Sequence, residues 1–448
     1  MWMQTPCTSE RTGTEQRGFL YRADIREIAG MLSERFAQKM DVVYLDPPAL
    51  TRRMAYAREC IGAQGYRGEA AFVRRMRQAD NRFTGKLEAY RSFLQEAVAL
   101  SKTLLKPTGC LYMHAPQGMT AEVKMICDAV MGKANCVNEI IWHYGGGGQA
   151  QNGYARRHDT IYLYQKGPKR YFNAKAVGMP RGTEKRNNLK RNVDADGRVY
   201  FSARVGGKEY RYYADALVPP DDVWMDISDL QHKDPERCGY DTQKPEALMA
   251  RLLAASCPED GWAADLFCGC GALPVVAAKQ GKHFLAVDRS DWALWLTRKR
   301  LDEQHTGYCY QRMGEPAQEP CPAAFRLQAG RTGYQVEICG FGKKREPLPQ
   351  NRAAGPEQIS WEQVWLQQAP VESVGTEPAE TDMRWIDGIA VGYWEPAGMQ
   401  VVDCASRTAR HADIPEQYFL PYGEGTPCVR MTDTQGREGY FLWKAEKR

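Results

Sequence analysis

The stretch 262–288 constrains the fold of this chain more than any other. An apolar run, Trp262-Ala263-Ala264-Asp265-Leu266, passes into Phe267-Cys268-Gly269-Cys270-Gly271, a helical pattern follows over 273–280, and a second apolar run closes on Asp288. Strand, glycine turn, helix and strand within about 30 residues make a βαβ unit. Its two strands are parallel and need helices on both faces. A further apolar run, Val42-Val43-Tyr44-Leu45, ends on Asp46-Pro47-Pro48 more than 200 residues upstream. The expected architecture is therefore α/β, around a parallel sheet.

Composition excludes several classes. With 43% hydrophobic and 26% charged residues in 448, the chain has the balance of a globular protein with room for two or three domains. No apolar stretch approaches the about 18–20 residues of a membrane span, and the polar first seventeen residues carry no signal core, so a cytoplasmic protein is expected. The fourteen cysteines form no CxxC pair and the seven histidines no ligand cluster. They read as reduced thiols in a protein without a metal site. Net charge is only +5, yet 151–211 holds fifteen Lys/Arg against five Asp/Glu. A basic middle in an otherwise slightly acidic chain points to a polyanion.

Periodicity divides the chain further. A strand is expected over 18–26, ending at Asp24, then an amphipathic helix over 28–36 and the strand at 42–45. Residues 51–83 read as a mobile excursion above the sheet. A helix over 87–105 is expected to stop in a turn at Lys106-Pro107-Thr108-Gly109, before a strand from Cys110 to His114. Further strands are expected at 137–142 and 160–164, and a helix at 245–255. Past about 301–320 come two Pro/Glu/Gln-rich stretches, a short helix at 361–367 and strands at 385–394 and 428–443. The expected divisions are a flexible 1–17, an amine-site half 18–150, a recognition region 151–236, a cofactor half 237–304 and an accessory domain 305–448.

The glycine turn lies at the carboxyl edge of the expected sheet, where open α/β sheets bind ligands. Gly269 and Gly271 let the backbone approach a ligand, the following helix N-terminus favours a carboxylate, and Asp288 can accept both hydroxyls of a ribose. A dinucleotide site needs G-x-G-x-x-G, but here Pro274 replaces the third glycine. An incomplete pyrophosphate cradle favours S-adenosylmethionine over NAD. At the other strand end, the Asp46 carboxylate can accept one N–H of an exocyclic amine, and the Pro47-Pro48 backbone can aim a carbonyl at the other. Both would localise the nitrogen lone pair toward a methyl donor held close by.

These elements, in this order, resemble the permuted (β-class) amino-DNA methyltransferases. Asp241-Thr242-Gln243-Lys244-Pro245-Glu246-Ala247-Leu248 is similar to the family's "PTQKPEALL" element. Lys106-Pro107-Thr108-Gly109, Glu139-Ile140-Ile141-Trp142 and Arg157-His158-Asp159-Thr160-Ile161 look like its internal landmarks, and the likeness covers about 20–301. The resemblance implies a Rossmann-like methyltransferase core with an inserted recognition region and a small, mostly β C-terminal domain. It implies adenine-N6 methylation of double-stranded DNA, with Asp46, Pro47 and Pro48 catalytic. Asp24, Thr242, Lys244, Asp265, Phe267, Gly269, Gly271 and Asp288 are the cofactor residues it implies. Arg181, Lys185, Arg186, Lys190 and Arg191 fall where the class meets DNA, as phosphate or base-edge contacts. A restriction or helicase subunit is the partner implied by the tail.

Two positions depart from the family. Ala49 stands where it carries an aromatic residue that stacks on the flipped base, a contact worth about 1–3 kcal/mol, or roughly 5–150-fold in rate. Ala272 replaces its usual hydroxyl residue. Tyr144 and Tyr154 are candidates to fill the aromatic role. The alternatives are a catalytically silent DNA-binding subunit that needs a partner, cytosine-N4 specificity, an RNA substrate, and a nicotinamide-dependent oxidoreductase.

Overall fold

The computed structural model describes residues 9–12, 16–48, 50, 56–61, 72–77, 83, 86–115, 118–146, 150–182, 189–231, 234–240, 242–313, 323–341, 386–395, 398–406, 414–433 and 438–442. The chain opens with β1 (Ser9–Thr12), β2 (Gln16–Arg22), α1 (Ile25–Phe36) and β3 (Met40–Leu45). A hairpin of β4 (Tyr56–Ile61) and β5 (Phe72–Arg77) precedes α2 (Leu87–Leu104), β6 (Leu105–Ala115), α3 (Thr120–Cys127), β7 (Cys136–His143) and β8 (His158–Gln165). The basic middle holds β9 (Met179–Pro180), an antiparallel sheet of β10 (Lys190–Val193), β11 (Val199–Val205) and β12 (Lys208–Tyr213), then β13 (Leu217–Val218) and β14 (Val223–Trp224).

Next come α4 (Glu246–Ser256), β15 (Trp262–Asp265), α5 (Ala272–Lys279), β16 (His283–Asp288), α6 (Asp291–Asp302) and β17 (Gly307–Arg312). The described part of the tail is strand: β18 (Ala323–Ala329), β19 (Gly333–Phe341), β20 (Ile386–Glu395), β21 (Gly398–Ser406), β22 (Gln417–Pro421), β23 (Thr426–Asp433) and β24 (Glu438–Leu442).

One sheet runs β14-β7-β8-β6-β3-β15-β16-β2-β17-β1-β21-β20-β23-β24. From β6 to β17 every neighbouring pair is parallel. Each side of this run is covered, which explains its near-continuous apolar sequence. Val43 and Leu45 face α1, α2 and α3 with Ile28, Leu32, Phe93 and Leu94, whereas Val42 and Tyr44 face α4, α5 and α6 with Leu252, Leu273 and Leu294. The result is a three-layer, Rossmann-like α/β core.

Several local expectations shift. Lys106-Pro107-Thr108-Gly109 is strand, not turn: Leu105 caps α2 in an extended conformation, and β6 pairs with β3 from Leu105 onward across an irregularity. Proline tolerates this extended entry, and a Cβ on Gly109 would lie 2.9 Å from the Met40 carbonyl oxygen. β2 stops at Arg22, and Asp24 instead caps α1. Residues 9–12 form a strand within the segment expected to be a flexible start. The sheet continues past 304, because β17 is parallel to β2 and β1 bridges β17 to β21. The helix expected at 361–367 and most of 51–83 lie outside the described residues. No described helix is long and apolar enough to cross a membrane.

Candidate active site

Four adjacent strands deliver carboxylates to one edge. Asp46 follows β3, Asp265 ends β15, Asp288 ends β16 and Asp24 follows β2, with Asp265 in register with Tyr44 and Asp288 with Arg22. The chain leaves β3 toward β6 and leaves β15 toward β16, so a crevice opens between β3 and β15, at a topological switch point. The two expected half-sites, distant in sequence, meet across this crevice.

Lys244 joins them. Its ammonium Nζ lies 2.6 Å from Asp46 Oδ2, with the side chains 17% and 21% exposed. Burial pulls the Lys244 ammonium down, but the Asp46 carboxylate outweighs it and the net shift is upward, so the lysine stays charged. Lys244, expected at the cofactor, holds the amine-site carboxylate. Behind them runs a network that sequence reasoning missed. The buried Tyr44 hydroxyl is 2.9 Å from His114 Nδ1, His114 Nε2 is 2.9 Å from Asp159 Oδ2, and Tyr144 donates to Asp159 Oδ1 at 3.3 Å. A carboxylate only accepts, so Nε2 carries a hydrogen, and in the neutral ring Nδ1 would accept from Tyr44. Burial, then the charge of Asp46, pushes the Tyr44 phenol well up and keeps it a donor. The available signal was a histidine at the end of an apolar strand.

The glycine loop is braced by its own carboxylates. Asp288 accepts the Gly269 N–H at 2.9 Å and the Ser290 N–H at 2.8 Å. Asp265 accepts the Phe267 N–H at 3.1 Å, and burial pushes its carboxyl well above the ordinary range despite that bond. Gly269 and Gly271 are left-handed, at φ 52° and 79°. A Cβ on Gly271 would lie 2.5 Å from Thr297 Cγ2, so this glycine admits the close approach of α6. Thr297 in turn donates to the Gly269 carbonyl at 3.0 Å. The Phe267 ring packs against Phe93 at 5.4 Å.

The Thr-Gln-Lys-Pro element is tied down on both sides. Gln243 donates to the Glu236 carbonyl and accepts from the Cys238 N–H, both at 2.9 Å, Pro245 is the N-cap of α4, and Thr242 is exposed. Asp24 accepts the Arg26 N–H at 3.1 Å as the cap of α1. Among the basic residues, Lys190 and Arg191 are exposed on β10, and Arg181 lies 5.2 Å over the Tyr212 ring. Lys185, Arg186 and Ala49 lie outside the described residues. Phe201 is buried, and Tyr200 packs on Tyr213 at 5.5 Å, so these rings hold the small antiparallel sheet together. Tyr144 belongs to the histidine network, while Tyr154 is fully exposed.

A parallel sheet with a glycine loop and a strand-end carboxylate at its switch point defines a nucleoside-cofactor α/β protein. Its family follows from comparison with known proteins. The family model described as DNA methylase, for N6 and N4 methyltransferases, matches residues 40–295, and the chain belongs to that family. The type II methyltransferase M.HpaI of Haemophilus parainfluenzae is 25% identical over 220 residues, 49% of this chain and 62% of its own length. The DNA adenine methyltransferase YhdJ of Escherichia coli is 23% identical over 308 residues, 67% of this chain and 87% of that one. The chain thus spans less than two thirds of M.HpaI. The solved TTHA0409 of Thermus thermophilus in complex with S-adenosyl-L-methionine is 15% identical, with a TM-score of 0.40 over 67% of this chain and 98% of that one.

The cofactor is S-adenosylmethionine, and the loop fits it. The N-cap of α5 is Gly271, with no side-chain cap, so the first-turn amides are open to a carboxylate. Acidic side chains from β15 and β16 suit a cationic sulfonium and ribose hydroxyls.

Proposed function

We propose that the chain methylates an exocyclic amine of double-stranded DNA, adenine N6 in the first place, as a site-specific enzyme of a modification or defence system. The observation that carries this reading is the placement of Asp46 beside Lys244 at the switch point, one strand from the glycine loop. Adenine follows from Asp at the first position of Asp-Pro-Pro and agrees with the name of the YhdJ relative; cytosine N4 is the alternative within the family. The permuted class is supported by chain order: β2 and β3 precede β15 and β16 in sequence yet flank them in the sheet.

Asp46 Oδ1 accepts one amine N–H, and the Asp-Pro-Pro backbone offers a carbonyl to the other. Lys244 pins Oδ2. Asp288 and Asp24 serve ribose and adenine, the start of α5 takes the methionine carboxylate, and Phe267 lines the site with Asp265, Thr242, Gly269 and Gly271. S-adenosylmethionine, when bound, supplies an electrophilic methyl group, and the site orients the nitrogen for in-line attack. The target base has to leave the duplex to reach Asp46. Arg181, Lys190 and Arg191, together with Lys185 and Arg186, meet the phosphates and groove edges.

A second reading, a silent DNA-binding subunit that works with a restriction or helicase partner, rests on Ala49. Expression in a host stripped of its own methyltransferases, followed by sequencing for modified bases, separates the two. Methylated adenine in a defined motif, absent with Asp46→Ala, supports the enzyme. Unmodified DNA from a folded chain that binds S-adenosylmethionine favours the silent subunit.

A further inference from the structure

Helix α6 stands between the cofactor site and the tail, and it grips both. Thr297 and Arg300 share one face of the helix, and Trp295 and Lys299 share another. On the first face the Thr297 hydroxyl lies 3.0 Å from the Gly269 carbonyl oxygen, and the Arg300 guanidinium donates to the Cys270 carbonyl at 2.8 Å. The same guanidinium donates to Glu246 Oε1 at 2.8 Å, so one arginine ties the glycine loop to the residue after the Thr-Gln-Lys-Pro element. On the second face the fully buried Asp387 of β20 accepts the Trp295 indole N–H at 2.7 Å and pairs with Lys299 at 2.9 Å. A Cβ on Gly388 would lie 2.7 Å from Trp295 Cη2, so β20 seats directly on that ring. Trp295 also shares an apolar cluster with Cys270 of the loop, Trp292 and Leu296. The path from tail to glycine loop therefore crosses a single helix.

We propose that the tail is a working part of the cofactor site: Asp387 is a positioning residue that fixes α6, and through α6 the glycine loop, for S-adenosylmethionine. Asp387 lies outside residues 40–295, the span that the family model matches. Without it the Trp295 N–H and the Lys299 ammonium lose their carboxylate in a dry contact, and α6 relieves that loss by moving toward water. Thr297 packs so closely on Gly271 that a Cβ there would lie 2.5 Å from its Cγ2. A displaced α6 therefore moves the loop or leaves a gap beneath it. Gly271 caps α5, so the first-turn amides that face the cofactor's carboxylate move too, and hydrogen bonds weaken steeply once their donors are misdirected. The inference rests on the cofactor alone and stands whether or not the chain turns over.

The test measures S-adenosylmethionine binding by calorimetry to the full-length wild type, Asp387→Ala, Trp295→Phe and Leu420→Ala, at a temperature well below every Tm. Leu420 of β22 is fully buried in the apolar cluster of the tail, so Leu420→Ala destabilises the tail while leaving the Asp387 contacts in place. The expected result is a Kd weakened fivefold or more in Asp387→Ala and threefold or more in Trp295→Phe, which keeps an apolar ring but loses the indole donor. Leu420→Ala is expected to bind within twofold of wild type despite a comparable fall in Tm. Smaller changes in the first two variants overturn the proposal. Equal weakening in Leu420→Ala overturns it too, because the loss would then belong to tail stability at large. If Asp387→Ala does not fold, the milder Trp295→Phe decides alone. A wild type that binds no S-adenosylmethionine sinks the cofactor assignment and the proposal with it, whereas equally tight binding by every chain sinks the proposal alone.

Discussion

At the scale of single residues the site is a balance of buried charges. The Lys244–Asp46 pair is about one-fifth exposed on each side, so removing the ammonium leaves a carboxylate with little water to replace it. Lys244→Met is expected to lower stability by about 2–3 kcal/mol, toward the low end for a broken buried pair, and to slow methyl transfer at least tenfold; urea midpoints and turnover check both. Asp265 has the opposite problem. Its folded carboxyl is raised above the ordinary 3.8 by burial, so above that pH the folded chain holds a proton that the unfolded chain has lost. Stability then falls as pH rises, by up to about 1.4 kcal/mol per unit for one proton. Asp265→Asn should flatten that slope in thermal melts across mildly acidic pH, and an unchanged slope would refute the assignment. Asp46 and Asp265 were legible in the sequence because each ends an apolar run. His114 was not, because one histidine in a strand carries no periodic signature and its partners Tyr44 and Asp159 come from separate strands.

Elements explain why the loop needs its glycines. Sequence patterning assigned Gly271 to ligand approach, whereas its left-handed backbone and the 2.5 Å approach of Thr297 show that it also seats α6 against the loop. Gly271→Ala should cost about 2–4 kcal/mol, combining a left-handed β-carbon with overpacking. The added variant Thr297→Ala should recover part of that loss in a double-mutant cycle, and strict additivity would show that the contact is unimportant. Helices α1 and α2 were readable because Ile28, Leu32 and Phe36, and Tyr90, Phe93, Leu94 and Ala97, recur on one face. The Lys-Pro-Thr-Gly stretch was misread because proline and glycine usually announce turns. Here the neighbouring strand β3 imposes an extended path that local preference does not encode.

On the scale of the whole molecule, the tail is built onto the core. Lys299 of α6 and Asp387 of β20 pair at 2.9 Å, nearly or fully buried, and the Trp295 indole N–H donates to the same carboxylate at 2.7 Å. Asp387→Ala leaves both donors in a dry contact and is expected to cost about 3–5 kcal/mol. The double variant Lys299→Met with Asp387→Leu should regain part of it, measured as the shift in unfolding midpoint. A single change without effect would mean that this junction opens to water.

By itself the sequence determined the layered α/β class, the strand-end carboxylates and the glycine loop, since burial period and turn chemistry are written locally. Only the tertiary structure decided that Lys244 reaches Asp46 and that His114 and Asp159 stand behind them. It also decided that β1 carries the sheet on into the tail. Those relations join segments tens to hundreds of residues apart, and their energy comes from desolvation and pairing that exist only once the sheet has brought the segments together.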